Sequence, residues 1–385
     1  MILSVFALIQ AVTAPVPAEP QRDDEKTIVV VGRRLADTER ALADCIARQC
    51  PPKEEIDASL AHAENQFLAG DYEKSRQTLL AARRRNAKYA KDLPIDVADL
   101  LRANSRLAIM NGMPTAGRIN TIDTLDVLKG GLPADDPRVL MQRLSVGDVF
   151  AKQGRFDAAR DIYGTVEKQA HKAGLPTVEG LAMLRTAVQY TALSAVDPVY
   201  VGSAKKAIAR IRATTDPALA PFRDSMATLE RNVALRGKVR DAEQVELAKT
   251  APAERANRAI LVYSPPIDLP QTSRSGSTTV FVGGEDKPQW IDVAFWIAPD
   301  GTVRDIDVAR QSENAKGQWI ERVKKSLGGR LYRPLALAAN DAGLRRIERY
   351  SLFYNLLDIP GTRNAGRSPI PNIEVTDLTI DTPAG

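Results

Sequence analysis

The stretch GDVFAKQGRFDAARDIY, residues 147–163, decides the fold of the long N-terminal part of the chain. A small residue, a turn glycine, an aromatic residue and a second small residue follow one another there as Gly147, Gly154, Phe156 and Ala159. The same order recurs in AENQFLAGDYEKS, residues 63–75. Glycine ends a helix readily, and small residues on facing helices allow the two to approach closely. Each stretch therefore predicts two antiparallel helices joined by a short turn.

Both stretches resemble the tetratricopeptide repeat, whose marker positions are matched in the earlier copy by Ala63, Gly70, Tyr72 and Ser75. The later copy is the better match, because the earlier one has Leu79 where an aromatic residue is commoner. A weaker pair lies between them, and its Pro114 and Gly117 depart from the pattern. The resemblance implies an α-solenoid whose concave face binds extended peptides or other proteins. An irregular helical bundle is the alternative.

The segment from Leu35 to about Lys249 has a helical pattern that is interrupted at intervals of roughly 15 to 20 residues. The interruptions are Gly70-Asp71, Leu93-Pro94, Gly112-Met113-Pro114, Gly130-Gly131, Gly154, Gly174-Leu175-Pro176, Asp197-Pro198 and Asp216-Pro217. Such spacing predicts short loops between helices of about 15 residues, and hence antiparallel neighbours. We assign residues 35–254 to this helical-repeat domain.

A second domain is expected from residue 255, where a proline-broken extended segment begins, and from Thr278 the hydrophobic period changes from helical to two. An alternating run at 280–282 is followed by two alternating stretches, 291–297 and 303–308, that flank a Pro-Asp-Gly turn and predict a β-hairpin. Apolar residues at helical spacing in 319–327 predict a helix. A last strand is expected from about residue 346 to 355.

The order hairpin, helix, strand resembles the TonB C-terminal domain over about residues 262–356. The matching motifs are Asp300-Gly301-Thr302-Val303, Val308-Ala309-Arg310-Gln311-Ser312, Tyr332-Arg333-Pro334 and Arg349-Tyr350-Ser351-Leu352-Phe353-Tyr354. Two departures are a longer, alanine-rich insert at Leu335–Gly343 and the lack of a long proline-rich spacer in this sequence. The resemblance implies a small α+β domain, residues 255–357, with an antiparallel sheet and one helix. We expect a flexible tail at 358–385.

The resemblance also implies a function, since domains of this family receive a short extended peptide from outer-membrane receptors at the sheet edge. In strand addition, main-chain hydrogen bonds supply affinity and alternate side chains supply selectivity. We expect the last strand to be that edge, with the partner-binding residues Ile347, Arg349, Tyr350, Ser351, Leu352, Phe353 and Tyr354. Simple alternation between core and surface explains any single one of these residues equally well.

A short β-branched run near the N-terminus resembles the receptor peptides of the same family. It consists of Ile28, Val29, Val30, Val31 and Gly32, within a segment at 19–34 that is expected to be otherwise flexible. Three interpretations stay open for this candidate box peptide. It docks on the C-terminal domain of its own chain, it is offered to another TonB-like domain, or it begins or caps the solenoid.

Residues 1–18 are typical of a signal peptide. The run from Ile2 to Ala14 is almost wholly apolar and is shorter than the roughly 20 residues that a spanning helix needs. Small residues at Val16 and Ala18 favour cleavage after Ala18, which would release the chain into the periplasm with no membrane-inserted segment. Because no lysine or arginine precedes the apolar run, an uncleaved anchor is the alternative.

The two cysteines agree with export. An oxidising compartment permits a short-loop disulfide between Cys45 and Cys50, with free thiols as the alternative. A metal site is disfavoured, since there is no second cysteine pair and the only histidines, His62 and His171, are far apart in the sequence.

The composition is that of a soluble globular protein of two or three domains, with 385 residues, 44% hydrophobic and 26% charged residues and a net charge of +5. The basic clusters at 83–85 and 324–325 lie among acidic residues on predicted helices, and aromatic residues do not interleave with them. We therefore expect no nucleic-acid partner. Nucleophile-elbow and phosphate-loop patterns are also lacking in the sequence, so we expect neither enzymatic activity nor a cofactor.

The sequence thus favours a periplasmic protein-interaction adaptor. Its expected partners are proteins, such as outer-membrane receptors or their N-terminal peptides, and self-association is allowed. One alternative is a membrane-anchored energy transducer of the TonB type. The other is a structural or assembly repeat protein that does not bind receptors.

Overall fold

The computed structural model describes residues 34–235, 258–269, 287–338, 340–358 and 365–379. The helices that precede the sheet within these residues are α1 (Leu35–Ala47), α2 (Pro52–Leu68), α3 (Tyr72–Asn86), α4 (Pro94–Met110), α5 (Pro114–Gly131), α6 (Pro137–Lys152), α7 (Phe156–Lys172), α8 (Pro176–Val196), α9 (Val201–Arg212) and α10 (Ala220–Leu235). The signal segment, the box peptide at 28–32 and the alternating run at 280–282 lie outside the described residues, so their interpretations stay predictions.

Local sequence explains where several helices begin. Five of them, α2, α4, α5, α6 and α8, have proline in the first turn, where the missing N–H is not needed and the fixed φ suits a helix. Aspartate caps α3 and also α6: the Asp71 carboxylate accepts from the Lys74 N–H at 3.0 Å, and Asp136 accepts from the Arg138 N–H at 2.8 Å. The prolines and aspartates that interrupt the pattern therefore start helices.

Successive helices pack as antiparallel pairs, and the pairs follow a period of 42 residues. The turns within α2–α3, α4–α5 and α6–α7 contain Gly70, Gly112 and Gly154, whose spacing is 42 in both steps (112 − 70 and 154 − 112). All three glycines have a positive φ, of 86°, 74° and 77° in that order, which glycine adopts without steric cost. This is the repeat-like pairing that the sequence predicts.

The α4–α5 pair, which departs from the sequence pattern, is a full member of this array. Its Ser105 hydroxyl donates to the Gly117 carbonyl at 2.7 Å, a close contact between the two helices of the pair. In α2–α3 the Ser75 hydroxyl donates to the Ala63 carbonyl at 2.6 Å, with the same separation in sequence. Pro114 replaces the aromatic residue at the start of the second helix, a position that suits proline. The repeat is therefore defined by the 42-residue spacing of its turns more than by the residue types at the marker positions.

The last of these helices close the array around α8. This helix is buried along nearly its whole length, and α7, α9 and α10 pack against it. Their shared core includes Leu181, Val188, Ile208, Phe222 and Met226. Helix α8 is thus the hydrophobic centre of this end of the described array.

The strands are β1 (Leu261–Tyr263), β2 (Gln289–Ile297), β3 (Val303–Gln311), β4 (Leu331–Tyr332), β5 (Leu344–Asp358) and β6 (Ala365–Asp377), with α11 (Trp319–Gly328) between β3 and β4. β1 and β4 form a small antiparallel pair, and the others form one antiparallel sheet in the order β3-β2-β5-β6. Helix α11 packs on one face of this sheet, where Trp319, Val323 and Leu327 join Val293 and Phe295 in a common core.

Two expectations about the C-terminal region are wrong. The strand that contains Ile347–Tyr354 is not an edge, because β5 lies between β2 and β6 and pairs on both sides. The tail expected to be flexible contains β6, which pairs with β5 from Glu348↔Asp377 to Asp358↔Ala365. Pro369 and Pro371 make this strand difficult to predict from propensity, because proline is disfavoured within a sheet and is tolerated mainly at its edge.

Candidate functional site at the junction of the helices and the sheet

The sheet lies between α11 and the ends of two repeat helices, and successive side chains of β5 point to opposite faces. Tyr350 and Leu352 belong to the core beneath α11, whereas Arg349 and Ser351 contact the helical repeats. The candidate residues Ile347, Phe353 and Tyr354 also lie on this internally paired strand. Strand addition at β5, expected from the sequence, is therefore ruled out by the topology.

Arg349 is the centre of the junction, and its side chain is fully buried. Its Nε lies 2.6 Å from Oδ1 of Asp292 and its Nη2 lies 2.9 Å from Oδ2, while the same guanidinium donates to the carbonyls of Phe67 and Leu68 at the end of α2. A cation is favourable there because the helix C-terminus carries partial negative charge. Burial alone would lower the pKa of Arg349, but the hydrogen bond to Asp292 raises it above its ordinary value.

Aromatic side chains surround this ion pair. The ring of Trp290, on β2, lies 4.1 Å from the Arg349 guanidinium carbon and is part of the hydrophobic core of α2, α3 and α4. The Tyr72 hydroxyl is 2.7 Å from the Ser351 hydroxyl, and burial raises the pKa of Tyr72. A Cβ on Gly70 would overlap the Trp290 indole, so this turn must be glycine. Sheet and helices therefore share one core here.

A second contact lies one repeat further along. The Leu356 N–H donates to the Gly112 carbonyl at 2.6 Å, and Arg367 Nη1 donates to the Asn111 carbonyl at 3.1 Å. A Cβ on Gly112 would overlap the carbonyl of Tyr354. Thus β5 and β6 cover the α4–α5 turn much as β2 and β5 cover the α2–α3 turn.

The opposite face of the sheet carries a second buried polar cluster. Arg330 donates to both Glu348 oxygens, at 2.8 and 2.9 Å, and to the Tyr350 hydroxyl at 2.9 Å. Burial and the Glu348 carboxylate raise the pKa of Tyr350 well above its ordinary value. Glu348 already neutralises the charge of Arg330. We therefore infer that this cluster stabilises the packing of β4 against β5.

The strands at the two edges differ in how well they could pair with a further strand. The register between β3 and β2 shifts twice, once between Asp292 and Val293 of β2 and once between Ala294 and Trp296 of β2. In β3 itself, Asp305 has a φ of 53°. Bulges of this kind twist an edge and interrupt its row of hydrogen-bonding groups. The β3 edge is therefore poorly suited to strand addition.

The C-terminal half of β6 is regular. Its register with β5 is unbroken from Glu348↔Asp377 to Tyr354↔Pro371, and the Leu378 N–H donates to the Ile347 carbonyl at 2.8 Å. Since hydrogen-bonded and non-bonded positions alternate in an antiparallel pair, the N–H groups of residues 373, 375 and 377 point away from β5. No other strand of the described residues pairs with that side. We call residues 373–377 the open edge.

The predicted disulfide is present and joins Cys45 to Cys50, whose Cα atoms are 5.1 Å apart. It indicates an oxidising, extracellular or periplasmic environment. Among the described residues, none of the helices has the length and apolar character to cross a membrane, and no group of three or more His, Cys, Asp or Glu residues could hold a metal ion.

No protein-family model and no curated protein matches this chain. What the protein binds must therefore be inferred from the junction and the open edge themselves.

Sequence reasoning missed Trp290, Asp292 and the whole of β6. One signal was present. Trp290 and Asp292 alternate with the core residues of β2, so they lie on its other face, where a half-exposed strand would have solvated side chains. A tryptophan on that side indicates a second buried face. For β6 the signal was partial: Ile373 and Val375 alternate with Glu374 and Thr376, but Pro369 and Pro371 interrupt the first half of the strand.

Proposed function

We propose that the protein is a non-catalytic, protein-binding adaptor of an oxidising compartment, and that it binds an extended segment of a partner at the open edge. The supporting observation is the row of outward N–H groups at residues 373, 375 and 377, in a stretch of unbroken register. An extended peptide adds to such an edge through main-chain hydrogen bonds. Pro369 and Pro371 lack an N–H, so the first half of β6 offers fewer donors and helps to set the register of the partner.

The junction supports a role as a scaffold. Because Arg349 and Trp290 bury the sheet against the first repeat, the open edge is held at a fixed position relative to the solenoid. A partner on the edge and a second protein on the helices would then be held in a defined arrangement. Resemblance to the TonB C-terminal domain is consistent with this proposal, with β6 in place of the strand expected from the sequence.

The test uses the chain from Glu19 onward and two labelled peptides, residues 24–34 of this chain and an alternating Thr-Val octapeptide, with binding followed by fluorescence anisotropy. The decisive variant is Val375→Pro, which removes one outward N–H without removing a hydrogen bond to β5. Val375→Ala is the matched control, since it shortens the same side chain and keeps the N–H. Thermal unfolding of both variants verifies that the sheet is intact.

We expect at least one peptide to bind the natural chain and the Val375→Ala variant, and to bind Val375→Pro at least tenfold more weakly. Equal binding to Val375→Pro would place the site elsewhere. If neither peptide binds the natural chain, strand addition at this edge is wrong and a structural or assembly role takes its place.

For the location we propose the periplasm, with cleavage after Ala18. Mass spectrometry of the mature protein from its native host measures the N-terminus directly. A chain that begins at Glu19 agrees with a released adaptor. Retention of residues 1–18 would contradict release and favour the membrane-anchored transducer.

A further inference from the structure

Asn111 and Gly112 lie in the turn between α4 and α5, and they are the only Asn-Gly pair in the sequence. Asparagine deamidates most readily before glycine, because glycine has no side chain to hinder attack of its backbone nitrogen on the asparagine side chain. The equivalent positions of the neighbouring repeats have Ala69 and Gln153. Glutamine reacts far more slowly than asparagine, because its longer side chain would have to close a larger and less favourable ring. The α4–α5 turn is therefore the chemically labile one of the three glycine turns.

Within this turn the two groups that would react are held apart. Asn111 has a ψ of 9°, so the Gly112 nitrogen is nearly eclipsed with the Asn111 nitrogen and lies away from the side-chain carbonyl carbon. The Asn111 Nδ2 donates to the Leu107 carbonyl at 2.9 Å, and the Gly112 N–H donates to the Ile109 carbonyl at 2.8 Å. Both groups must leave these partners before they can react with each other.

The sheet holds the same turn from outside the helical array. The Leu356 N–H donates to the Gly112 carbonyl at 2.6 Å, and Arg367 Nη1 donates to the Asn111 carbonyl at 3.1 Å and to the Tyr354 carbonyl at 2.8 Å. A rotation about ψ of Asn111 that brings the Gly112 nitrogen to the side chain also turns the Asn111 carbonyl away from Arg367. The contact with the sheet therefore opposes the motion that the reaction needs.

The α6–α7 turn provides a comparison, because the sheet does not cover it. Among the described residues, nothing lies within 4 Å of a Cβ built on Gly154, and Gln153 before it is exposed. By contrast, Asn111 is only 9% exposed. The labile pair thus lies at a turn that the sheet covers, whereas the uncovered turn has the slowly reacting glutamine.

We propose that Asn111 is a deamidation site that β5 and β6 keep unreactive, and that it reacts when these strands separate from the α4–α5 turn. In the reaction the Gly112 nitrogen attacks Cγ of Asn111, the Cγ–Nδ2 bond breaks, and ammonia leaves with the proton of the Gly112 N–H. Water then opens the cyclic imide at either carbonyl and gives aspartate or isoaspartate. The proposal does not depend on strand addition at the open edge.

Deamidation would hinder the return of the sheet to this turn. Isoaspartate adds one carbon atom to the main chain of residue 111, so the carbonyls that Arg367 and Leu356 contact are displaced relative to α4. Both products also replace the amide by a carboxylate, which cannot donate to the Leu107 carbonyl. The new negative charge lies at the C-terminal end of α4, where a charge of that sign is unfavourable. Separation of the sheet would therefore leave a permanent chemical change in the second repeat.

The experiment follows Asn111 in the full chain during incubation in mildly alkaline buffer. The tryptic peptide 107–118 is analysed by mass spectrometry, and a synthetic peptide of the same residues gives the intrinsic rate. The natural chain is measured both folded and in urea. Arg367→Ala removes the side chain that contacts the Asn111 carbonyl and leaves the hydrogen bonds within α4 in place. The control is Cys45→Ser with Cys50→Ser, which removes the disulfide and leaves this contact unchanged.

We expect Asn111 in the folded natural chain to deamidate at least tenfold more slowly than in the peptide, and the chain in urea to react at the rate of the peptide. Arg367→Ala should raise the rate in the folded chain at least threefold, while the cysteine variant leaves it unchanged. Equal rates in the folded natural chain and the peptide would overturn the protection. No change in Arg367→Ala would mean that α4 alone protects Asn111. Equal acceleration in the cysteine variant would make global unfolding the route, and would likewise overturn the role of the sheet.

Discussion

Arg349 and Asp292 lie side by side on adjacent strands, and their side chains are 0% and 1% exposed. The pair joins β5 to β2, and the remaining N–H groups of Arg349 reach the last carbonyls of α2. A charge removed from water in this way is stable only while its partners remain, because an unpaired buried ion is strongly unfavourable. The sheet and the first repeat are therefore coupled through one guanidinium.

Removal of the Arg349 side chain should strongly destabilise the protein. We expect Arg349→Ala to lower the free energy of unfolding by about 3–5 kcal/mol, since it leaves Asp292 buried without its main partner. Urea unfolding followed by tryptophan fluorescence measures this directly, because Trp290 lies against Arg349.

Arg310 supplies the control for Arg349. It contacts the same Asp292 carboxylate, but its side chain is 55% exposed. Arg310→Ala should lower the free energy of unfolding by less than about 1 kcal/mol. Similar losses in the two variants would contradict the central role of Arg349.

The covered and uncovered turns should respond differently to the same substitution. Gly112→Ala and Gly154→Ala each force a side chain into a left-handed conformation, at φ values of 74° and 77°, with a cost of about 1–2 kcal/mol. Only Gly112→Ala also displaces the Tyr354 carbonyl, so we expect a further loss of about 1–3 kcal/mol. Chemical denaturation of the two variants tests this difference, and equal losses would mean that the sheet does not press on the α4–α5 turn in solution.

The disulfide should stabilise the start of the array. It closes a short loop between α1 and α2, and we expect Cys45→Ser with Cys50→Ser to lower the free energy of unfolding by about 2 kcal/mol. Thermal unfolding with and without a reductant provides the measurement. Reductant should lower the Tm of the natural chain and leave that of the double variant unchanged; an equal effect on both would show that the reductant does not act through this disulfide.

Acidification should weaken the contact of α1 with α2 through His62. This side chain is buried beside Thr38, and burial lowers its pKa from the ordinary 6.5. At this pKa difference the unfolded chain binds a proton more readily than the folded one. The contribution of His62 to the free energy of unfolding is therefore complete above pH 6.5 and falls as the pH drops from 6.5 toward the folded-state pKa.

Replacement of His62 by Gln should remove the His62 contribution to this pH dependence. His171→Gln is the control, since the side chain of His171 is 78% exposed. Urea unfolding at a series of pH values between 5 and 8 measures both variants. An unchanged pH profile for His62→Gln would contradict the assignment.

Much of the architecture could be predicted because its causes are local. The glycine turns at 70 and 154, the helix-starting prolines, the Cys45–Cys50 loop and the hairpin at Asp300-Gly301 each depend on residues close together in the sequence. The α4–α5 repeat was only partly recognised because its marker residues differ, although its Gly112 keeps the spacing and the backbone conformation.

The sequence by itself determined the elements: antiparallel helix pairs, a hairpin followed by a helix, and a disulfide near the start of the array. The tertiary structure alone decided that β5 is internal, that β6 is the edge and that Trp290 completes the core of the helical repeats. Strand order and the burial of a second sheet face depend on contacts between segments more than 200 residues apart, such as Arg349 with Phe67. Local propensity does not predict such pairings, because the favourable free energy of burial is gained only when both surfaces are removed from water together.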